Sequence, residues 1–145
     1  MIVSEWELIL RIAAAGVLGG LLGYERQMHK MPVGVRTYGL VAMGSAAFIA
    51  ASILISQETS AGRETTAEAS LNADQVRVAA GLVAGVGFLG AGAILRTDSH
   101  VHGLTTAASI WVTAAIGLLI GTGFWIAGVG LTVLALLAIF VLRSD

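Results

Sequence analysis

Seven residues stand where long apolar stretches begin or end and carry chemistry worth weighing: Glu25 and Arg26, Arg36 and Thr37, Arg96, and Thr105 with Thr106. Guanidinium groups recognise carboxylates and phosphates through paired N–H donors, and threonine hydroxyls add both donors and acceptors. Glu25 can neutralise one arginine, which leaves the others suited to an anionic group or to a partner's carboxylate. The functional reading is a binding or regulatory site. The plainer reading is a structural polar cluster that snorkels and fixes helix ends.

Other chemistry in the chain is thinner. Asp74 and Arg77 lie three residues apart, a spacing that pairs on one helix. Glu7 and Arg11 are one turn apart and read the same way. His100 and His102 with nearby Asp98 resemble a fragment of a metal site, but two histidines and one acid make an incomplete ligand set. His29 stands alone. Ser99 shares one short segment with its neighbours, so no serine–histidine–acid arrangement can be argued. Gly85-Val-Gly87-Phe-Leu-Gly90 matches the dinucleotide-binding spacing, yet that motif needs a preceding strand, a following amphipathic helix and an acid about 20 positions on. Here the motif sits inside an apolar helix, and Ser109-Ile-Trp111 occupies the place of the acid. The chain has no cysteine, which removes thiolate ligands, thiol nucleophiles and disulfides. These residues define no metal, no cofactor and no enzyme.

The elements that must position these residues are membrane helices. Of 145 residues, 57% are hydrophobic and 12% charged, with a mean hydropathy of +0.88; soluble domains carry about 25% charged residues. A net charge of −1 offers no basic field for nucleic acid. The residue pattern predicts helices over about 6–24, 38–55, 76–95, 104–120 and 124–142, each near the ~20 residues that cross a ~30 Å hydrocarbon core. Pro32 with Gly34 marks the turn after the first helix, and Gly121-Thr-Gly123 divides the long uncharged run from Leu104 to Leu142. Trp125 near that turn fits an interfacial anchor. The polar stretch 56–73 reads as a solvated external loop. The N-terminus lacks the basic region of a cleavable signal, so the first apolar segment is expected to stay as a span.

The third helix is expected at the centre of this all-α bundle. Within Val76–Leu95 it holds five glycines: Gly81, Gly85 and Gly92 toward one face, Gly87 and Gly90 toward the other. Small residues let membrane helices approach closely. Gly16, Gly19, Gly20 and Gly23 give the first helix two overlapping small-xxx-small spacings of the same kind.

Five spans put the termini on opposite sides. With the N-terminus outside, the inner segments hold Arg26, Lys30, Arg36, Arg96 and Arg143, and the outer ones Arg11, Arg63 and Arg77. Excess Lys and Arg marks the cytoplasmic face, so N-out, C-in is expected. That topology brings Glu25, Arg26, Arg36, Thr37, Arg96, Thr105 and Thr106 to the inner surface. Membrane lipids are expected contacts, and the glycine faces leave homo-oligomers open. A transporter would need acids at membrane depth, and the apolar middles of the helices hold none.

Five blocks in order resemble the MgtC/SapB family of bacterial inner-membrane proteins: Leu18-Gly-Gly-Leu-Leu-Gly-Tyr-Glu-Arg-Gln27, Gly34-Val-Arg-Thr37 with Leu40-Val41, Arg77-Val-Ala-Ala80, Gly85-Val-Gly-Phe-Leu-Gly-Ala-Gly92 with Ile94-Leu-Arg96, and Gly103-Leu-Thr-Thr-Ala-Ala108 with Trp111. The resemblance implies a protein linked to magnesium homeostasis, growth at low magnesium, stress adaptation and, in intracellular pathogens, virulence. It implies regulation through another inner-membrane protein; magnesium or other ion transport by an oligomer is the alternative. It also singles out Glu25, Arg26, Arg36, Thr37, Arg77, Arg96, Thr105 and Thr106. Two positions depart from the family pattern. Gly81 stands where members often carry glutamine, and His102 where they often carry arginine. The second leaves in the inner loop a residue type that changes charge near neutral pH. Many members also carry an ACT-like C-terminal domain. This chain stops at Arg143-Ser144-Asp145, which fits either a short member or a piece of a longer protein.

Overall fold

The computed structural model describes residues 3–60, 67–97 and 99–141. Among the described residues five helices and one small hairpin follow in chain order: α1 (Glu5–Met28), α2 (Val35–Ser60), α3 (Ala67–Ala93), β1 (Leu95–Arg96), β2 (Val101–His102), α4 (Leu104–Thr122) and α5 (Trp125–Val141). Helices α1, α2, α4 and the Gln75–Ala93 part of α3 are long and apolar enough to cross a membrane; α5 is apolar over its 17 residues. The protein is an all-α membrane bundle.

Local chemistry sets the helix ends. Ser4 caps α1, its hydroxyl accepting from the Glu7 N–H at 3.3 Å. α1 continues past Tyr24 because Glu25, Arg26, Gln27 and Met28 are competent helix formers. It closes where Lys30 adopts φ 56°, with Met31 N–H bonding to Arg26 C=O and Lys30 N–H to Gln27 C=O. Pro32 lies just beyond, where it cannot continue the helix. Gln27 then reaches across the turn and accepts from the Val35 N–H that starts α2.

The segment 56–73, expected as a loop, is helical at both ends. α2 runs to Ser60 and α3 starts at Ala67. Polarity marks where a helix leaves an apolar layer, not where its hydrogen-bond ladder ends. Residues 61–66 lie outside the described residues. At its far end α3 stops at Ala93, two residues before the expected end. Leu95 pairs with His102, and Arg96 with Val101, in an antiparallel hairpin. Gly103 completes this corner at φ 88°, where a Cβ would lie 2.1 Å from the Ala93 carbonyl oxygen, so only glycine fits.

The expected central place of α3 is corrected. α4 packs against each of the other four helices. Half of its apolar window is buried (50%), against 11% for α3. A Cβ placed on Gly81, Gly85, Gly87 or Gly92 would meet nothing within 4 Å, and one on Gly90 would make only ordinary contact with Ala107. The small-residue spacing signals a helix built for close approach, but the same spacing serves a neighbour in the chain or outside it.

Close approach inside the bundle is made by α1, α2 and α4. A Cβ on Gly19 would lie 2.6 Å from Ala42 Cβ, one on Gly16 2.7 Å from Met43 Cγ, and one on Gly23 2.7 Å from Val35 Cα. Gly20 has ordinary contact with Val35. In α4, a Cβ on Gly117 would lie 2.3 Å from the Ala42 carbonyl oxygen, and one on Gly121 2.4 Å from Ile49 Cγ2. Ala15, Ala42, Ala46 and Ala114 fill the remaining core beside Leu22, Ile116 and Ile120. Hydroxyls in this apolar interior bond back to their own helices, as Ser45 does to Val41 C=O and Thr113 to Ser109 C=O.

Candidate functional site

The C-terminal ends of α1, α3 and α5, the N-terminal ends of α2 and α4, and the hairpin share one end of the bundle. Arg26 is the anchor there. It is 7% exposed, and its Nη2 donates to Thr106 Oγ1 at 3.2 Å. Its Nε is buried without a hydrogen-bond partner among the described residues. Glu25, one residue back, turns away: its Oε1 lies 3.0 Å from His29 Nδ1, and its Oε2 is buried without a hydrogen-bond partner among the described residues. His29 Nδ1 also lies 2.8 Å from the Glu25 carbonyl oxygen.

The structure splits the seven expected residues into four settings. Arg26, Thr105 and Thr106 line one open groove of about 740 Å³ between α1, α4, α5 and the hairpin. Thr37 lines a different groove, about 650 Å³ and almost wholly apolar, between α2 and α3. Arg36 and Arg96 are exposed at the start of α2 and in β1. Glu25 lines neither groove.

Three further residues join the picture, of which the sequence singles out only His102. His102 lines the Arg26 groove from β2, and Ser109 from α4. Tyr38 is fully buried, its hydroxyl beside Ser109 and Arg26 without a well-formed hydrogen bond among the described residues, and within electrostatic reach of Glu25. A signal existed for Ser109. Thr106, Ser109 and Thr113 recur at i, i+3 and i+7, which places them on one face of α4, and all three are buried. Tyr38 had a weaker one, a phenol two residues inside the arginine that opens α2.

At the opposite end, Arg11 is 8% exposed; its Nη2 bonds Glu7 Oε1, and its Nη1 donates to the Gly121 carbonyl oxygen at 3.0 Å. The second bond ties α1 to the C-terminal turn of α4, where a cation is favoured by the helix dipole. Arg77 is exposed on α3; the side chain of Asp74 lies outside the described residues, so the Asp74–Arg77 pair stays an expectation. His100 and His102 stack at 6.1 Å between ring centroids, Ser99 Oγ lies 2.9 Å from His100 Nδ1, and Asp98 lies outside the described residues. Among the described residues no three histidine, cysteine or acidic side chains converge on a metal-sized point.

Fold and site together define a multi-span helical membrane protein with a cationic groove at one end and an open glycine face on α3. The MgtC family profile matches residues 12–144, and the chain belongs to that family. It is 42% identical over 138 residues to YhiD of Escherichia coli, named as a candidate magnesium transporter, across 95% of this chain and 61% of the relative. It is 40% identical over 136 residues to Protein MgtC of Salmonella typhimurium, across 94% of this chain and 52% of the relative. Protein MgtC of Brucella suis is 44% identical over 112 residues, 77% of this chain and 41% of its own length. The chain thus spans 41–61% of these relatives. No solved structure matches it.

Proposed function

We propose that this protein is a non-enzymatic regulator in the bacterial inner membrane, linked to magnesium homeostasis and low-magnesium growth, that works by docking a transmembrane helix of another membrane protein. The observation that carries the reading is the openness of α3. The glycines of α1 and α4 are used up by close contacts inside the bundle, whereas Gly81 and Gly85 line an apolar groove with nothing on them. Membrane helices associate through such small-residue surfaces because backbones can then approach closely. The cluster on α1 and α4, with Glu25, Arg26 and Thr106, serves as contact or sensing site. An N-terminus outside and a C-terminus in the cytoplasm belong to this reading, supported by the excess of basic residues in the segments expected inside.

The second reading is magnesium or other ion transport by an oligomer, favoured by the name of the E. coli relative. Magnesium sites use hard oxygen ligands, usually carboxylates. The described spans offer none at mid-depth, which weighs against this reading.

Magnesium flux into proteoliposomes of the purified protein separates the two. The regulator reading expects no saturable flux, together with a specific membrane protein that co-purifies from membranes and is lost from a Gly81→Leu, Gly85→Leu variant. Saturable flux from oriented, folded protein would replace it with the transport reading.

A further inference from the structure

We propose that the groove between α1, α4, α5 and the hairpin is a binding site for a phosphate-bearing anion, with a phospholipid headgroup as the expected source. Four observations meet there. Arg26 lines the groove, is more than nine-tenths buried, and holds five N–H donors; among the described residues one of them meets Thr106 Oγ1 at 3.2 Å, and the buried hydroxyl of Tyr38 is a second neutral group beside it. Its Nε is buried and unpartnered among the described residues. A guanidinium kept from water with only neutral hydroxyls beside it is costly unless an anion completes it.

The second observation is the helix that starts beside it. α4 is 19 residues long and begins at Gly103, which has no side chain to cap it. Ala107 N–H takes the Gly103 carbonyl, the first bond of the ladder, so the N–H groups of Leu104, Thr105 and Thr106 precede it. Leu104, Thr105 and Thr106 all line the groove. A helix N-terminus favours negative charge, and a cation next to it is unfavourable on its own. Arg26 and the α4 terminus therefore repel each other electrostatically, and one anion between them satisfies both.

Third, His102, Thr105, Thr106 and Ser109 add polar atoms to the same wall, while no acidic side chain among the described residues lines it. Fourth, the groove continues as an apolar wall of Leu22, Val112, Ala135 and Ile139, which an acyl chain matches and a free ion does not use.

This deepens the reading of the Arg26 cluster as a contact site, but it does not rest on the α3 docking face, which other residues line. The test therefore uses the isolated protein with no partner present. In native mass spectrometry from a maltoside detergent, titrated phosphatidylglycerol should be retained at one site at least tenfold more tightly than diacylglycerol. Arg26→Gln should remove that preference. Ala138→Trp, at an exposed groove position, should remove it too while leaving Arg26 in place and the fold intact. Arg36→Gln, outside the groove, should not. Inorganic phosphate, read by thermal shift, forms the second arm. Stabilisation by phosphate without lipid retention, lost in Ala138→Trp, keeps the anion site and changes its source to a free ion. Equal retention of the two lipids with no phosphate effect overturns the proposal. So does a loss of lipid preference in Arg36→Gln as large as in Ala138→Trp. Failure here leaves the α3 docking reading to its own test.

Discussion

Arg26, in the last turn of α1, donates to the hydroxyl of Thr106 in the first turn of α4, 80 residues away in sequence. The bond joins two helices that are also held by close glycine contacts farther along, through α2. It holds the guanidinium beside the uncapped α4 terminus, so the same contact is both a structural tie and the geometry of the anion groove.

Thr106→Val keeps the shape of the side chain and removes the acceptor. With Arg26 buried, the lost hydrogen bond should cost about 1–3 kcal/mol, because a charged donor is left without its partner. Thr106→Ser should restore most of it. Thermal unfolding in detergent reads the order wild type, Ser, Val; equal midpoints for Ser and Val would deny the hydrogen bond any role.

Arg11 makes the matching tie at the other end, holding both Glu7 and the carbonyl of Gly121. Its two partners are unequal. Glu7 is 43% exposed on its side chain, so the ion pair is screened and Glu7→Gln should cost at most about 1 kcal/mol. Arg11→Met removes the buried bond to Gly121 and should cost about 1–3 kcal/mol. Because Arg11→Met removes both partners, a loss in Glu7→Gln as large as in Arg11→Met would show that the ion pair, not the backbone bond, carries the tie.

The proposed orientation rests on charge in the sequence, with five basic residues in the segments expected inside against three in those expected outside. The chain has no cysteine, so single substitutions report cleanly. Glu58→Cys should react with an impermeant maleimide on intact spheroplasts, and Met31→Cys only after permeabilisation. The opposite pattern would reverse the topology and move the Arg26 groove to the outer face.

The helices were legible because apolar runs of membrane length are long and their breaks are chemical: Pro32 with Gly34, and Gly123, whose φ of 93° closes α4. Which helix lies at the centre was not legible. Gly81 and Gly85 share the small-xxx-small spacing of Gly19 and Gly23, yet only the α1 pair is covered. Spacing encodes a capacity for close approach and says nothing of which chain supplies the neighbour. The site was legible in part. Residue type brought Arg26, Thr105 and Thr106 forward, but Arg36 and Arg96 share their chemistry and stand exposed elsewhere. Side-chain burial separates them, and burial depends on packing between α1 and α4 that no local pattern specifies. The hairpin was missed for a similar reason, since two residues per strand leave no alternation to read.

The contrast between covered and open glycines gives a test that separates stability from docking. Gly19→Ala would place a methyl 2.6 Å from Ala42 Cβ and 2.7 Å from the Tyr38 carbonyl oxygen, and Gly117→Ala would place one 2.3 Å from the Ala42 carbonyl oxygen. Backbone must move in both cases, and such overpacking costs about 1–3 kcal/mol. Gly85→Ala meets nothing, so it should leave the midpoint unchanged or raise it by up to about 1 kcal/mol through better helix propensity. If α3 docks a partner helix, the same Gly85→Ala and the bulkier Gly85→Leu should weaken co-purification in that order while the isolated protein stays stable. Thermal unfolding and partner recovery measured on one set of variants give two orderings: Gly19→Ala and Gly117→Ala lowest in the first, Gly85→Leu lowest in the second. A Gly85→Leu protein that is both unstable and partner-free would show instead that α3's glycine face is packed within the bundle, and the open face could no longer support docking.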